Sequence, residues 1–370
     1  MKQLDTSNKL QKLMNTLNDT SIAKNLLEKI NLFKKSISLM EVCGTHTVEI
    51  FRSGIRYGLG KNINLISGPG CPVCVTPDEE IEKAIGLACK KNTTLFCFGD
   101  MIKVPGDQET LETAKAKRNA KVKVMYSPME ALDYAEKNKK ENVILFGIGF
   151  ETTIPLFCSV IIRAKKHNIK NLFLFSAFRL VPPALDALCS SEEIKIDGFI
   201  LPGHVSTIIG EQAYLPLVEK YRIPSVITGF EPLDILEGIY MLIEMISKNK
   251  HSLKNQYKRA VPFEGNRNAQ NVIKSVFNIT DAKWRGLGII PNSGLLLNDN
   301  YKIFDAASLI DFDIPEIKDP RGCLCGDVIK GVKKPLECKL YKKVCNPTNP
   351  VGPCMVSSEG TCAAYYKYGR

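Results

Sequence analysis

Residues 142–153 read Asn-Val-Ile-Leu-Phe-Gly-Ile-Gly-Phe-Glu-Thr-Thr, an apolar run without polar alternation that stops at a carboxylate and two threonines. A strand apolar on both faces must be covered on both faces, as in a parallel sheet flanked by helices. Seven more short runs follow the same rule: SISLMEV (36–42), INLISG (63–68), TLFCFG (94–99), KVKVMYS (121–127), NLFLFSA (171–177), IDGFILP (196–202) and SVITGF (225–230). Helical stretches such as PDEEIEKAIGLACKK and SPMEALDYAEKN lie between them. Strands alternating with helices predict an α/β fold. The charged break KNKKEN near residue 140 divides the strands into two sheets. The expected architecture is two parallel-sheet α/β domains facing a cleft, over 38–140 and 141–254. A helical segment over 1–37 precedes them, with Leu10, Leu13, Met14 and Leu17, then Ile22, Leu26, Leu27 and Ile30, at helical spacing. An α+β segment over 255–370 follows. Its last part, 321–370, is expected to form a small C-terminal cysteine-rich domain whose removal leaves the sheets folded.

Ligands in open parallel sheets collect at the carboxyl ends of strands. Four unusual loops occupy such positions: Glu41-Val-Cys43-Gly-Thr-His46, Gly68-Pro-Gly-Cys71-Pro-Val-Cys74, Gly149-Phe-Glu151-Thr-Thr153 and Pro202-Gly-His204-Val-Ser206. Cys71 and Cys74 stand at a helix start, where free amides and the helix dipole favour thiolate, so the pair reads as a reversible dithiol rather than half of a zinc site. Cys43 and His46, one helical turn apart, can reach one metal ion or substrate. The competing reading is a buried thiol beside a histidine satisfied by backbone. Glu151 and His204 are weaker signals, a helix-start carboxylate and a core histidine on the bland reading; their case rests on sharing one face of the second sheet. Cys89, Cys97, Cys158 and Cys189 sit in apolar patterns and read as buried structural thiols.

Six of the thirteen cysteines fall in the last 48 residues: Cys323, Cys325, Cys338, Cys345, Cys354 and Cys362. The N-terminus, MKQLDTSNKLQKLMNTLNDT, has no apolar signal core, so the expected compartment is the cytoplasm and metal is favoured over structural disulfides. Zinc ribbons prefer two close Cys pairs, whereas gaps of six to twelve residues suit the corners of an iron–sulfur cluster. Which four cysteines ligate it is open, and zinc or disulfides are the alternatives.

The net charge of +11 concentrates in the tail: residues 321–370 carry +6 and the first 320 carry +5. One tryptophan and no basic–aromatic interleaving argue against nucleic acid. No run approaches the ~18 apolar residues of a membrane span.

The motifs CGTH (43–46), GPGCPVC (68–74), GFETT (149–153), PGHVS (202–206) and the tail CLCG…GPCMVSSEGTCAAYY, in that order, resemble the HypD family of hydrogenase maturation proteins. The resemblance runs from about residue 38 to the C-terminus. It implies a scaffold that pairs with HypC and holds the iron on which the Fe(CN)2CO group of [NiFe]-hydrogenases is built. HypE delivers cyanide as a thiocyanate, and the hydrogenase large subunit is reached through HypC. It further implies that Cys43 binds iron, that Cys71 and Cys74 are redox-active, and that the tail carries a [4Fe–4S] cluster. Cys323, Cys338, Cys345 and Cys362 are the expected ligands, with Cys325 and Cys354 as an adjacent pair. Two other function classes stand beside this one: a free-standing disulfide reductase and a zinc-stabilised binding module.

Overall fold

A computed structural model describes residues 20–107, 109–314, 317 and 322–369. The first half of the expected N-terminal helix, with Leu10, Leu13, Met14 and Leu17, lies outside the described residues. Its second half is the helix Thr20–Asn31, whose Ile30 is fully buried.

Two parallel sheets form the body. The first has the order β2-β1-β7-β8-β9, from Ile63–Ser67, Ile37–Glu41, Gly198–Pro202, Ser225–Thr228 and Leu253–Asn255. The second has the order β4-β3-β5-β6, from Val122–Val124, Thr93–Cys97, Asn142–Gly149 and Leu172–Phe178. All eight strands expected from apolar runs are present. Their grouping differs from the expected division at residue 140. The chain lays down β1 and β2 in one sheet, builds the whole second sheet, then returns to the first with β7, β8 and β9. Sequence order misled because parallel partners are joined through crossovers, and an apolar strand carries no mark of which neighbour it will take.

One core joins the sheets. Met40 and Phe199 of the first pack in the same buried cluster as Leu95, Ile144 and Phe146 of the second. Val328, Ile329 and Cys354 of the tail belong to that cluster too. The tail is therefore not a separable domain. Removing 321–370 would strip buried apolar surface from both sheets, contrary to the sequence expectation. The segment after 255 holds a helix, Arg267–Val276, and an antiparallel hairpin, β10 (Phe277–Trp284) with β11 (Gly288–Leu297).

That hairpin fastens the site from outside. Arg285, 6 % exposed, donates to Asp78 at 2.6 Å and to the Thr76 carbonyl at 2.8 and 3.1 Å, while its amide donates to the Val75 carbonyl. Breaking a buried, paired charge of this kind costs about 3–5 kcal/mol, because the partner is left unpaired. The Arg285 contacts hold the chain just past Cys74.

Candidate functional site

In the first sheet the order of strand addition reverses between β1 and β7, which are adjacent and parallel. Loops leaving such a switch point make a crevice at the strand ends. Cys43 follows β1 directly and caps the helix Gly44–Arg52 with extended backbone. The PGHVS stretch follows β7 and enters the helix Gly203–Ile209. The GPGCPVC loop follows β2, beside β1. Three of the four motifs thus stand at the carboxyl edge of one sheet. Glu151 follows β5 in the other sheet, so Glu151 and His204 do not share a sheet face as expected; they converge from different sheets.

The cysteine loops touch through backbone. The Gly44 amide donates to the Gly70 carbonyl at 3.0 Å, and a Cβ on Gly70 would lie 2.2 Å from the Cys43 nitrogen. Only glycine permits this approach. Cys71 caps the short helix Pro72–Val75, and its sulfur accepts from the Cys74 amide at 3.2 Å. Cys71 and Cys74 form a disulfide, with Cα atoms 5.2 Å apart. The Cys74 sulfur lies 4.0 Å from the carbonyl oxygen of Pro353, the residue before Cys354.

Cys43 is buried, and burial, aided by the charge of Glu359, pushes its thiol up to about 12. The Thr45 and His46 amides face the sulfur and oppose that shift without overcoming it. Glu41, at the end of β1 and fully buried, accepts from the Cys43 amide at 3.3 Å and the Thr47 hydroxyl at 2.5 Å. Burial raises its carboxyl to about 7.

His46 is held through one ring nitrogen by the end of β8 and the residue after it. Its Nε2 is 2.8 Å from the Gly229 carbonyl and 3.0 Å from the Thr228 hydroxyl. Donation to Gly229 assigns the proton to Nε2 and leaves buried Nδ1 without a partner. Burial lowers this imidazole to about 4, so it is neutral. Phe230 is stacked between the two motif histidines, its centroid 4.7 Å from His46 and 3.9 Å from His204. His204 is exposed, but the partial desolvation of its ring lowers it. Glu151 accepts from the Val181 amide at 2.9 Å through Oε1, while its buried Oε2 has no partner. Burial raises it to about 7.

Several contributors were not singled out in the sequence. Thr228 ends β8, and Gly229 and Phe230 follow it. Tyr214, fully buried, meets the Ser206 hydroxyl at 3.1 Å, with Glu151 and Cys43 close enough to act on it. Glu359 accepts from Thr45 at 2.7 Å. Glu41, by contrast, heads the first motif loop as a carboxylate ending a strand, whereas these residues sit in ordinary apolar or turn sequence.

All six tail cysteines line one pocket with Leu324, Val328, Tyr341 and Met355. Cys323, Cys325, Cys354 and Cys362 interact in a chain through their thiols. The Cys323 thiol is raised well above the ordinary range, first by Cys325 and then by burial. Among the described residues no three His, Cys, Asp or Glu side chains are poised around a single metal ion. As chemistry, the donor set fits a soft, thiolate-ligated cluster: six thiols and an apolar wall, with no carboxylate or imidazole. Of the four thiols read as structural, Cys97 and Cys158 are fully buried, but Cys89 and Cys189 are only partly so. No described helix is long and apolar enough to cross a membrane.

Fold and site together define an α/β protein that sets a buried thiol, a disulfide and a six-thiol pocket on neighbouring segments. Residues 21–369 match the family model HypD, described as the hydrogenase formation hypA family. Hydrogenase maturation factor HypD2 of Bradyrhizobium diazoefficiens is 43% identical over 345 residues, covering 91% of this chain and 90% of the relative. Hydrogenase maturation factor HypD of Escherichia coli is 41% identical over 336 residues, 90% of each. A putative hydrogenase expression/formation protein of Methanocaldococcus jannaschii is 41% identical over 362 residues, 96% of this chain and all of the relative. The chain belongs to the HypD family.

Proposed function

We propose that this chain is a hydrogenase maturation factor acting as a scaffold, with a HypC-like partner, for building the Fe(CN)2CO group. Iron is cargo, held at Cys43. The observation that carries the reading is the placement of the Cys71–Cys74 disulfide. On one side its loop is bonded to the Cys43 loop through Gly44 and Gly70, and on the other Cys74 abuts Pro353 beside the tail thiols.

Each group has a task set by its environment. A buried thiol held at about 12 gives up its proton only to a cation, so Cys43 is inert until iron arrives and then binds as thiolate. Glu41 and the Thr45 and His46 amides hold its backbone and sulfur in place. Neutral His46 keeps an unprotonated nitrogen inside the site, and exposed His204 guards its edge.

The Cys71–Cys74 pair stores two electrons. Reduced, the dithiol attacks the sulfur–carbon unit of a thiocyanate presented by a HypE-like donor. The donor's S–CN bond breaks, its thiol reforms, the pair becomes the disulfide, and cyanide leaves with a proton for the iron. The Cys74 amide on Cys71 favours that thiolate as the attacking group. The tail thiols Cys323, Cys338, Cys345 and Cys362 would hold a [4Fe–4S] cluster, with Cys325 and Cys354 adjacent. Such a cluster, when bound, supplies single electrons that return the disulfide to the dithiol.

The test is Cys43→Ala in the complex with a HypC-like protein. Cyanide and CO infrared bands should vanish while visible absorbance from the tail persists. Undiminished bands would remove Cys43 from the iron site.

A further inference from the structure

The tail carries more positive charge than its thiols need. Between residues 322 and 369 there are seven lysines against Asp327, Glu337 and Glu359. Lys330 and Lys333 are paired with acids of the tail itself. Lys339, Lys342, Lys343 and Lys367 are different. They are exposed, and no ion pair among the described residues engages them.

Three of these lysines ride on one turn, Cys338-Lys-Leu-Tyr-Lys-Lys-Val-Cys345, closed by cysteines that both line the thiol pocket. The turn is held by the Cys345 amide on the Leu340 carbonyl at 2.9 Å and the Lys342 amide on the Cys345 carbonyl at 3.1 Å. At its tip Lys342 has φ of 59°, a left-handed conformation uncommon in a residue other than glycine, asparagine or aspartate. A residue kept in a disfavoured conformation at a surface tip points to a role for that side chain. Lys342 Nζ lies 5.8 Å from the ring centroids of both Tyr341 and Tyr366. Among these cations Val344 is 53 % and Leu336 65 % exposed. Cys338 is only partly buried, so the thiol pocket is not sealed from solvent on this face.

We infer that the Cys338–Cys345 turn is the docking surface for a small acidic one-electron carrier protein, which feeds the tail centre from outside. The inference rests on the reading of the tail as a redox centre. Small, charge-ringed interfaces with a modest apolar middle suit encounters that must be fast and brief, with steering from complementary charge. Placing the cations on the covalent frame of the pocket brings carrier and thiols together without burying either partner deeply. Each docking delivers one electron. Two electrons and two protons convert the Cys71–Cys74 disulfide to two thiols, and the carrier is oxidised twice.

The experiment uses the full chain and two probes, a reduced acidic [2Fe–2S] ferredoxin and a basic cytochrome c of similar size. Binding is measured by calorimetry at several salt concentrations. Wild type should bind the ferredoxin and not the cytochrome, with affinity falling at least tenfold from low to physiological salt, as screening requires. The triple variants K339E/K342E/K343E and K339Q/K342Q/K343Q should weaken ferredoxin binding by tenfold or more and flatten the salt dependence. A control, K115E/K117E, in the distant basic helix Leu111–Lys117, should bind as wild type. Equal weakening in the control, or unchanged binding in both triple variants, overturns the docking surface. So does a single-stranded oligonucleotide that binds this face and displaces the ferredoxin. Iron content and visible absorbance of the same preparations decide the underlying reading separately. Protein without a cluster that still binds ferredoxin through these lysines keeps the surface and loses the redox centre.

Discussion

The two parallel sheets follow one plan and serve different ends. In each, the chain runs outward in both directions from a central pair of neighbouring strands, β1 and β7 in the first sheet, β3 and β5 in the second. The loops at the first switch point carry Cys43 and His204. Those at the second carry Asp100 and Glu151. Asp100 accepts from the Ser357 and Ser358 hydroxyls at 3.2 and 3.3 Å, so it fastens the tail rather than meeting a substrate. Topology offers a crevice at both places. Thiols, and glycines that let backbones touch, are found at only one. A switch point is thus a location, and the side chains decide whether it does chemistry or holds a structure together.

The sharpest way to break this comparison is a methyl group. Gly70→Ala sets a Cβ 2.2 Å from the Cys43 nitrogen, and backbone there cannot yield as a side-chain end would. The cysteine loops must part, at a cost of about 3 kcal/mol or more in thermal or urea denaturation. Gly99, in the switch-point loop after β3 of the second sheet, would meet only the Val124 side chain at 3.6 Å. Gly99→Ala should change stability by less than about 1 kcal/mol. Equal costs would erase the distinction between the two crevices.

A gentler probe is Glu151→Gln followed against pH. The folded carboxyl titrates near 7, and the unfolded one near its ordinary 4.5. Between those values the folded state holds a proton that the unfolded state has lost. The stability tied to protonation is therefore full below pH 4.5 and disappears as pH rises through 7. Glutamine resembles the protonated form throughout. The variant should gain on wild type by up to about 3 kcal/mol between pH 5 and pH 8. A difference that stays constant with pH would mean that Glu151 is charged in the fold.

How far the sequence foretold this is clear from particular strands. β5 was expected at 142–150 and spans Asn142–Gly149, because a run apolar on both faces has few other places to go. β9, Leu253–Asn255, was missed: three residues with a lysine in the middle give no periodic signal, and β8 alone recruits them. The motif loops could be read as strand ends, but their meeting could not. Cys43 and Gly70 approach through backbone hydrogen bonding, and Phe230 comes between His46 and His204 only because β8 lies beside β7. Long-range pairing of this sort leaves no local trace. The tail read as an independent metal module because cysteine spacing is conspicuous, whereas Val328 and Ile329, which bind it into the shared core, look ordinary.

The central claim is that the Cys71–Cys74 pair is the electron store between the Cys43 site and the tail thiols. Alkylation with mass spectrometry, before and after chemical reduction of the folded protein, tests it directly. The oxidised chain should show no label at Cys71 or Cys74. Reduction should open two sites, with Cys71 labelled first because the Cys74 amide stabilises its thiolate and it is the more exposed of the two. Fully buried Cys97 and Cys158 should stay unlabelled throughout. Labelling of Cys74 ahead of Cys71 would reverse the order of attack, and full labelling of both in the oxidised protein would leave the account without its store of electrons.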